Sequence, residues 1–528
     1  MTTTEHYDDV LSSLVADKVA SRTAAQDPTL WGPDAESEAS IRLSWVGLGR
    51  SSRPLLAEID ALRAQLWSEG IDRVVLCGMG GSSLAPELIS RTFGVPLEIL
   101  DSTDPQVVER AVSGELHRTT VVVSSKSGTT LETDSQRRAF AHAFETAGIN
   151  AASRFVAVTD PGSELEKLGT DEGWRKVFLA DPHVGGRYSA LTAFGLVPTG
   201  LAGVDIADLL DEADEVMDRL AADSADNPAL VLGAAIAANP GRDKVVIADA
   251  GSGIVGFADW AEQLIAESTG KQGRGILPVA LEDTGAPEIG RAATDVVVAL
   301  LLPEGGDLAG LDVAGKPCLG VSGTLGAQLL TWETAVAVAG RLLGINPFDQ
   351  PDVESAKKAA RGLLDQTPAP EPAVITQDGI EVRASAGLLD DAESLSAAVE
   401  NLLSRLADDG YLAVMAYVDA QRDASMHSVR AALSRRTGRP VTFGWGPRFL
   451  HSTGQYNKGG PPRGVFLQIT CTEADDLDIP DRPFSFGTLI AAQSAGDAHV
   501  LAEHGRPVLR LHMSAPEHGR AVLEELLR

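Results

Sequence analysis

Two short segments of this chain gather hydrogen-bond donors where an anion could sit. Gly80-Gly81-Ser82, inside Gly78-Met79-Gly80-Gly81-Ser82-Ser83, lets a phosphate approach the backbone N–H groups closely. Ser125-Lys126-Ser127-Gly128-Thr129-Thr130 adds hydroxyls and a cation directly after an apolar run. One Ser/Thr cluster is as consistent with an N-cap or a turn, but two such loops on neighbouring strands of one sheet point to phosphate binding. Further along, Gly185-Gly186-Arg187-Tyr188-Ser189 sets an arginine in a tight turn, suited either to an internal ion pair or to a developing oxyanion. Glu267 falls in the last turn of a predicted helix ending near Gly270, where the helix dipole disfavours a carboxylate. A solvated surface glutamate is the better reading from physics alone; buried, the same residue would have the proton affinity needed by a base beside a carbonyl. His451, within Arg448-Phe449-Leu450-His451-Ser452-Thr453-Gly454-Gln455, and Lys357, on a helix after Pro347-Phe348-Asp349-Gln350-Pro351, belong to types that are usually structural or solvated when they stand alone.

The elements that must position these residues read as α/β. Residues 1–70 are expected to form a helical segment capping a sheet, the apolar spacing being clearest over residues 54–67. Val74-Val75-Leu76-Cys77, Leu97-Glu98-Ile99-Leu100, Thr120-Val121-Val122-Val123 and Phe155-Val156-Ala157-Val158 are short apolar runs separated by helix-length stretches. That alternation predicts a doubly wound parallel sheet over 71–200. A similar set over 201–365, with strands at 245–248, 295–301 and 317–321, predicts a second lobe. The proline-rich stretch 366–374 is expected to be a linker. A third α/β unit over 375–528 follows, with strands at 412–418, 465–469 and 508–511.

Composition narrows the function. A chain of 528 residues, 44% hydrophobic, can bury several cores. Its formal charge of −30 argues against nucleic-acid or anionic-membrane partners and requires any phosphate site to be built locally against the global field. Three widely spaced cysteines suggest neither a metal knuckle nor a disulfide framework, and the acidic N-terminus lacks signal-peptide character, so a cytoplasmic location is expected. A dinucleotide reading of the first loop, with Asp101 at the end of the next strand as ribose ligand, fails at its third glycine, where Ser83 stands.

Taken together the segments resemble phosphoglucose isomerase, a family built from two sugar isomerase (SIS) subdomains. Gly80-Gly81-Ser82 is similar to its glycine-serine loop, Ser125 through Thr133 to its Ser-Lys-Thr-x-Thr-Thr-x-Glu-Thr loop, with Ser127 in place of a threonine, and Gly185 through Ser189 to its Gly-Gly-Arg-Tyr-Ser motif. Glu267-Ser268-x-Gly270-Lys271 resembles the segment bearing the family's catalytic glutamate, Asn346 through Pro351 with Lys357 its late lysine helix, and His451-Ser452-Thr453-Gly454-Gln455 its bacterial histidine loop. The resemblance implies aldose–ketose isomerisation of glucose 6-phosphate and fructose 6-phosphate without metal or organic cofactor. Glu267, His451, Lys357 and Arg187 would be catalytic, and Gly80, Gly81, Ser82, Ser125, Lys126, Ser127 and Thr130 would hold the phosphate. It further implies a homodimer, and a histidine that can come from the other subunit. The histidine loop departs from the usual order: it follows the lysine helix and the linker rather than preceding them, as in longer bacterial forms that include transaldolase fusions. A non-catalytic SIS-type phosphosugar sensor is the alternative, since it needs the phosphate loops only.

Overall fold

The computed structural model describes residues 1–291, 293–366, 371–389, 392–472 and 475–528. Its first sheet is wholly parallel, in the order Glu98–Leu100, Arg73–Gly78, Thr119–Ser124, Phe155–Thr159, Lys176–Leu179. The inner strands are covered on both faces, which is why they read as unbroken apolar runs. Chain direction across the sheet reverses between Arg73–Gly78 and Thr119–Ser124, and ligands of doubly wound sheets bind beyond the carboxyl ends at such a reversal. The loops leaving those two strands are the two serine-rich segments.

The second sheet runs Thr2–Thr3, Cys318–Ser322, Val296–Leu302, Lys244–Asp249, Leu277–Ala280, parallel except for the first pair. The N-terminal segment is thus a series of helices joined by turns, with two residues that extend this sheet. The helix Phe257–Thr269 packs beside the sheet and ends at Gly270, placing Glu267 in its last turn as the spacing predicts.

The third sheet has six strands, ordered Ile375–Gln377, Ile380–Ala384, Val508–Met513, Gly464–Cys471, Tyr411–Tyr417, Val441–Trp445. The last four are mutually parallel, and the first two form an antiparallel hairpin whose turn residues, Asp378 (φ 52°) and Gly379 (φ 74°), are left-handed as a tight Asp-Gly turn requires. Residues 367–370 of the expected linker lie outside the described residues; Glu371, at its far end, accepts from Arg510 at 2.7 Å.

This third unit is packed onto both lobes. Tyr411, Tyr456 and Phe466 share a buried cluster with Val246 and Leu300 of the second sheet, and Phe486 and Leu489 share another with Val75 and Val121 of the first. Buried Arg430 pairs with Glu282 and Glu288 of the second lobe, and Arg439 with Asp295. On the first lobe, Arg110 donates to Asp419 at 2.8 Å. These contacts bring the carboxyl end of the third sheet against that of the first. Among the described residues, no helix is long and apolar enough to cross a membrane.

Candidate active site

The loop after Arg73–Gly78 closes into a single helical turn, Gly80–Ser82. Its glycines are required by the protein around them. Gly80 has φ 58°, and a Cβ there would lie 2.8 Å from the His451 carbonyl oxygen; a Cβ on Gly81 would collide with the carbonyl of Gly186. The arginine turn and the histidine loop therefore both rest on this loop, and side chains at either glycine would push them away.

The loop after Thr119–Ser124 is tied by its own hydroxyls. Ser125 Oγ lies 3.0 Å from Thr130 Oγ1 and accepts from the Gly128 N–H at 3.1 Å, while Ser127 Oγ is 2.9 Å from Thr129 Oγ1. Thr130 precedes the helix Leu131–Thr146 without capping it through its side chain, so the positive end of that helix faces this loop without a side-chain cap. Lys126 is held in place by Asp160 (2.6 Å) and by the Val184 carbonyl (2.9 Å).

Arg187 is buried and spends most of its donors on backbone and side-chain acceptors: Nε on Ser268 Oγ (2.8 Å), Nη2 on the carbonyls of Pro347 (2.6 Å) and Asp349 (3.0 Å), Nη1 on Gln350 (2.9 Å). Nη1 also reaches Glu267 Oε2 at 3.4 Å. Glu267 is buried, not solvated, so the bland reading of this carboxylate does not hold. Burial raises its proton affinity above the ordinary carboxylate value, and Arg187, a hydrogen bond from Gln263, and the charges of His451 and Lys357 offset only part of that. The arrangement gives a basic carboxylate beside a fixed guanidinium.

His451, from the same chain, reaches this site although it follows the lysine helix and the linker in sequence. Its backbone carbonyl accepts from Gln263 Nε2 at 2.8 Å, and the same amide nitrogen lies 3.4 Å from Glu267 Oε1. Its ring Nε2 meets Glu132 Oε1 at 3.1 Å, and Glu132 also accepts from Gln493 Nε2 at 2.8 Å. Burial pushes the Glu132 carboxyl up, but His451, the residue's own backbone N–H and the charge of Lys357 pull it down to about 2, so it is ionised at neutral pH. A cavity lined by Ser127, Thr130, Glu132, Lys357, His451 and Gln493 joins the second serine loop to the histidine and the lysine. Glu267 and Arg187 lie outside that lining and connect to it through Gln263.

The structure thus assembles Glu267, Arg187, His451, Lys357 and both serine loops around the reversal point of the first sheet. Asp101, the dinucleotide candidate, is half-buried and paired with Arg448 at 3.2 Å rather than left open to a ribose. Sequence reasoning assigned no role to Glu132, although it lies within the second loop's motif, nor to Gln263, Ser268, Gln350 and Gln493. The first four sit in or beside the quoted motifs; Gln493 carries no local signal.

The phosphoglucose isomerase family model matches residues 60–301. Glucose-6-phosphate isomerase of Thermosynechococcus vestitus is 33% identical over 379 residues, covering 59% of this chain and 71% of that one. A probable glucose-6-phosphate isomerase of Haloarcula marismortui is 30% identical over 354 residues, covering 58% of this chain and 81% of the relative. Among solved structures, a hypothetical protein of Thermus thermophilus superposes with a TM-score of 0.57 at 25% identity, covering 68% of this chain and 97% of that chain. A Chlamydia trachomatis glucose-6-phosphate isomerase shares the fold, with a TM-score of 0.53 at 21% identity, over 67% of this chain and 79% of that one. With relatives at least 30% identical and matched over 71% and 81% of their own length, the chain belongs to the phosphoglucose isomerase family.

Proposed function

We propose that the chain interconverts glucose 6-phosphate and fructose 6-phosphate, with Glu267 as the base. The observation that carries this reading is the burial of Glu267 against Arg187, close enough to His451 and Lys357 for both to act on its charge. A sensor that only bound phosphosugar would have no use for a buried carboxylate of raised basicity. Gly80, Gly81, Ser82, Ser125, Lys126, Ser127 and Thr130 hold the phosphate, chiefly through hydroxyls and backbone N–H groups. His451 and Lys357 open the ring by moving one proton from the anomeric hydroxyl and one onto the ring oxygen. Glu267 then takes the proton from C2 and returns it to C1 while the hydroxyl proton passes from O2 to O1, or both in reverse, and Arg187 stabilises the cis-enediolate formed between. C1 and C2 exchange oxidation levels within the sugar, so the step balances without an external oxidant or reductant.

All the side chains assigned these roles come from one chain, so a homodimer, which the family resemblance favours, is not needed to deliver the histidine. Cys77 and Cys318 are buried, unpaired thiols, which suits a reducing cytoplasm. The test is a direct assay with glucose 6-phosphate and fructose 6-phosphate in both directions. Turnover is expected with both; tight phosphosugar binding with no turnover would move the protein to the sensor class.

A further inference from the structure

We infer that Gln493, backed by Thr103, is a positioning residue that decides which nitrogen of His451 carries its proton. Donor and acceptor counting leaves little freedom. Glu132 is an ionised carboxylate and can only accept. The Gln493 amide, 2.8 Å from Glu132 Oε1, must therefore present its nitrogen there. Its oxygen is then turned to Thr103, whose buried hydroxyl donates to it at 2.6 Å. A flipped amide would set oxygen against carboxylate and strand the Thr103 proton. The same Glu132 Oε1 takes a second donor, His451 Nε2, at 3.1 Å. In its neutral form His451 is thus protonated on Nε2 and keeps its lone pair on Nδ1.

Gln493 comes from the helix Phe486–Glu503 of the third unit and lines the same cavity as His451 and Lys357. The unit that brings the histidine therefore also brings the group that holds the histidine's partner. Without Gln493, Glu132 Oε1 loses the amide donor that pins it, the carboxylate can turn away from the imidazole, and the preference for Nε2–H weakens. What Nδ1 does in the reaction rests on the isomerase reading above; the tautomer itself does not.

The test therefore has two arms. Histidine-¹⁵N NMR of the substrate-free protein, with the His451 signal identified by its loss in His451→Asn, should show an Nε2–H ring in the wild type. Gln493→Leu should convert it to a mixture or to the other tautomer. Thr103→Val should move it in the same direction, and Thr103→Ser should leave it unchanged; this near-isosteric pair keeps the test intact if Gln493→Leu folds poorly. In the second arm, kcat on glucose 6-phosphate should fall roughly 10-fold to 100-fold in Gln493→Leu, with KM little changed. An Nε2–H signal retained in both Gln493→Leu and Thr103→Val, or an unaltered kcat and pH profile in folded Gln493→Leu, overturns the inference. A tautomer change in a protein that never turns over the sugar phosphate supports it while removing the isomerase reading.

Discussion

Glu267 and Glu132 are two buried carboxylates, both within the fields of His451 and Lys357, yet they are held in opposite conditions. Glu267 lies in the last turn of its helix, at the negative end, with long contacts from Arg187 and Gln263, both at 3.4 Å. Glu132 lies in the first turn of its helix, at the positive end, with close donors from His451 and Gln493. The helix dipole thus adds to burial at Glu267, where long contacts offset only part of it, whereas dipole and close hydrogen bonds together oppose burial at Glu132. One carboxylate becomes a better base; the other becomes a permanent anion that orients an imidazole. The contrast shows how one pocket draws two roles from one residue type by where each stands on its helix.

The sharpest way to break the contrast is to remove the base. Glu267→Gln should lower kcat by roughly a hundred- to ten-thousand-fold in a properly folded protein, and near-normal turnover would discard its assignment. Glu132→Gln, which takes away the anchor but no reacting group, should cost less, about 10-fold to 100-fold. A larger loss for Glu132→Gln than for Glu267→Gln would reverse the roles.

The two carboxylates should also separate in pH profiles. A base must be ionised, so activity should fall as pH drops through the raised pKa of Glu267, above the ordinary value of about 4.3. Glu132, held to about 2, should add no further limb in the range where the protein is assayed. An acid limb of kcat/KM at or below about pH 4 would contradict the raised basicity.

The smallest effect concerns a third carboxyl on the Glu267 helix. Burial, with Asp259 nearby, pushes Glu262 up to about 8. Folding favours its neutral form, so its contribution to stability is complete below the unfolded pKa and is lost as pH rises towards 8. Glu262→Gln should raise the melting temperature by about a degree or two at about pH 8.5 and leave it unchanged near about pH 5. An equal shift at both pH values would show that ionisation is not the cause.

What the sequence revealed follows from the kind of physics each feature depends on. The inner strands were legible because parallel strands covered on both faces must be apolar throughout. The missed strands lie at sheet margins: Lys176–Leu179 ends on a half-exposed leucine, and Leu277–Ala280 contains a proline. The Asp378-Gly379 hairpin had a recognisable turn pair that went unread. In the site, Arg187, Glu267 and the serine loops stood out through motif and spacing. The burial that turns Glu267 from a surface residue into a base arises only when distant segments meet. Gln493 is the extreme case, 361 residues from the carboxylate it binds, with nothing local to mark it.

The docking of the third unit has a consequence for synthesis. Chains fold from the N-terminus as they emerge from the ribosome. The two lobes are therefore made with both serine loops, the arginine and the base already in place, while the imidazole and its anchoring amide are still to be translated. A nascent chain at that stage can cradle a phosphate but has no histidine with which to open a sugar ring. A stop codon just before residue 451 would leave both lobes translated but without the imidazole and the amide that complete the pocket.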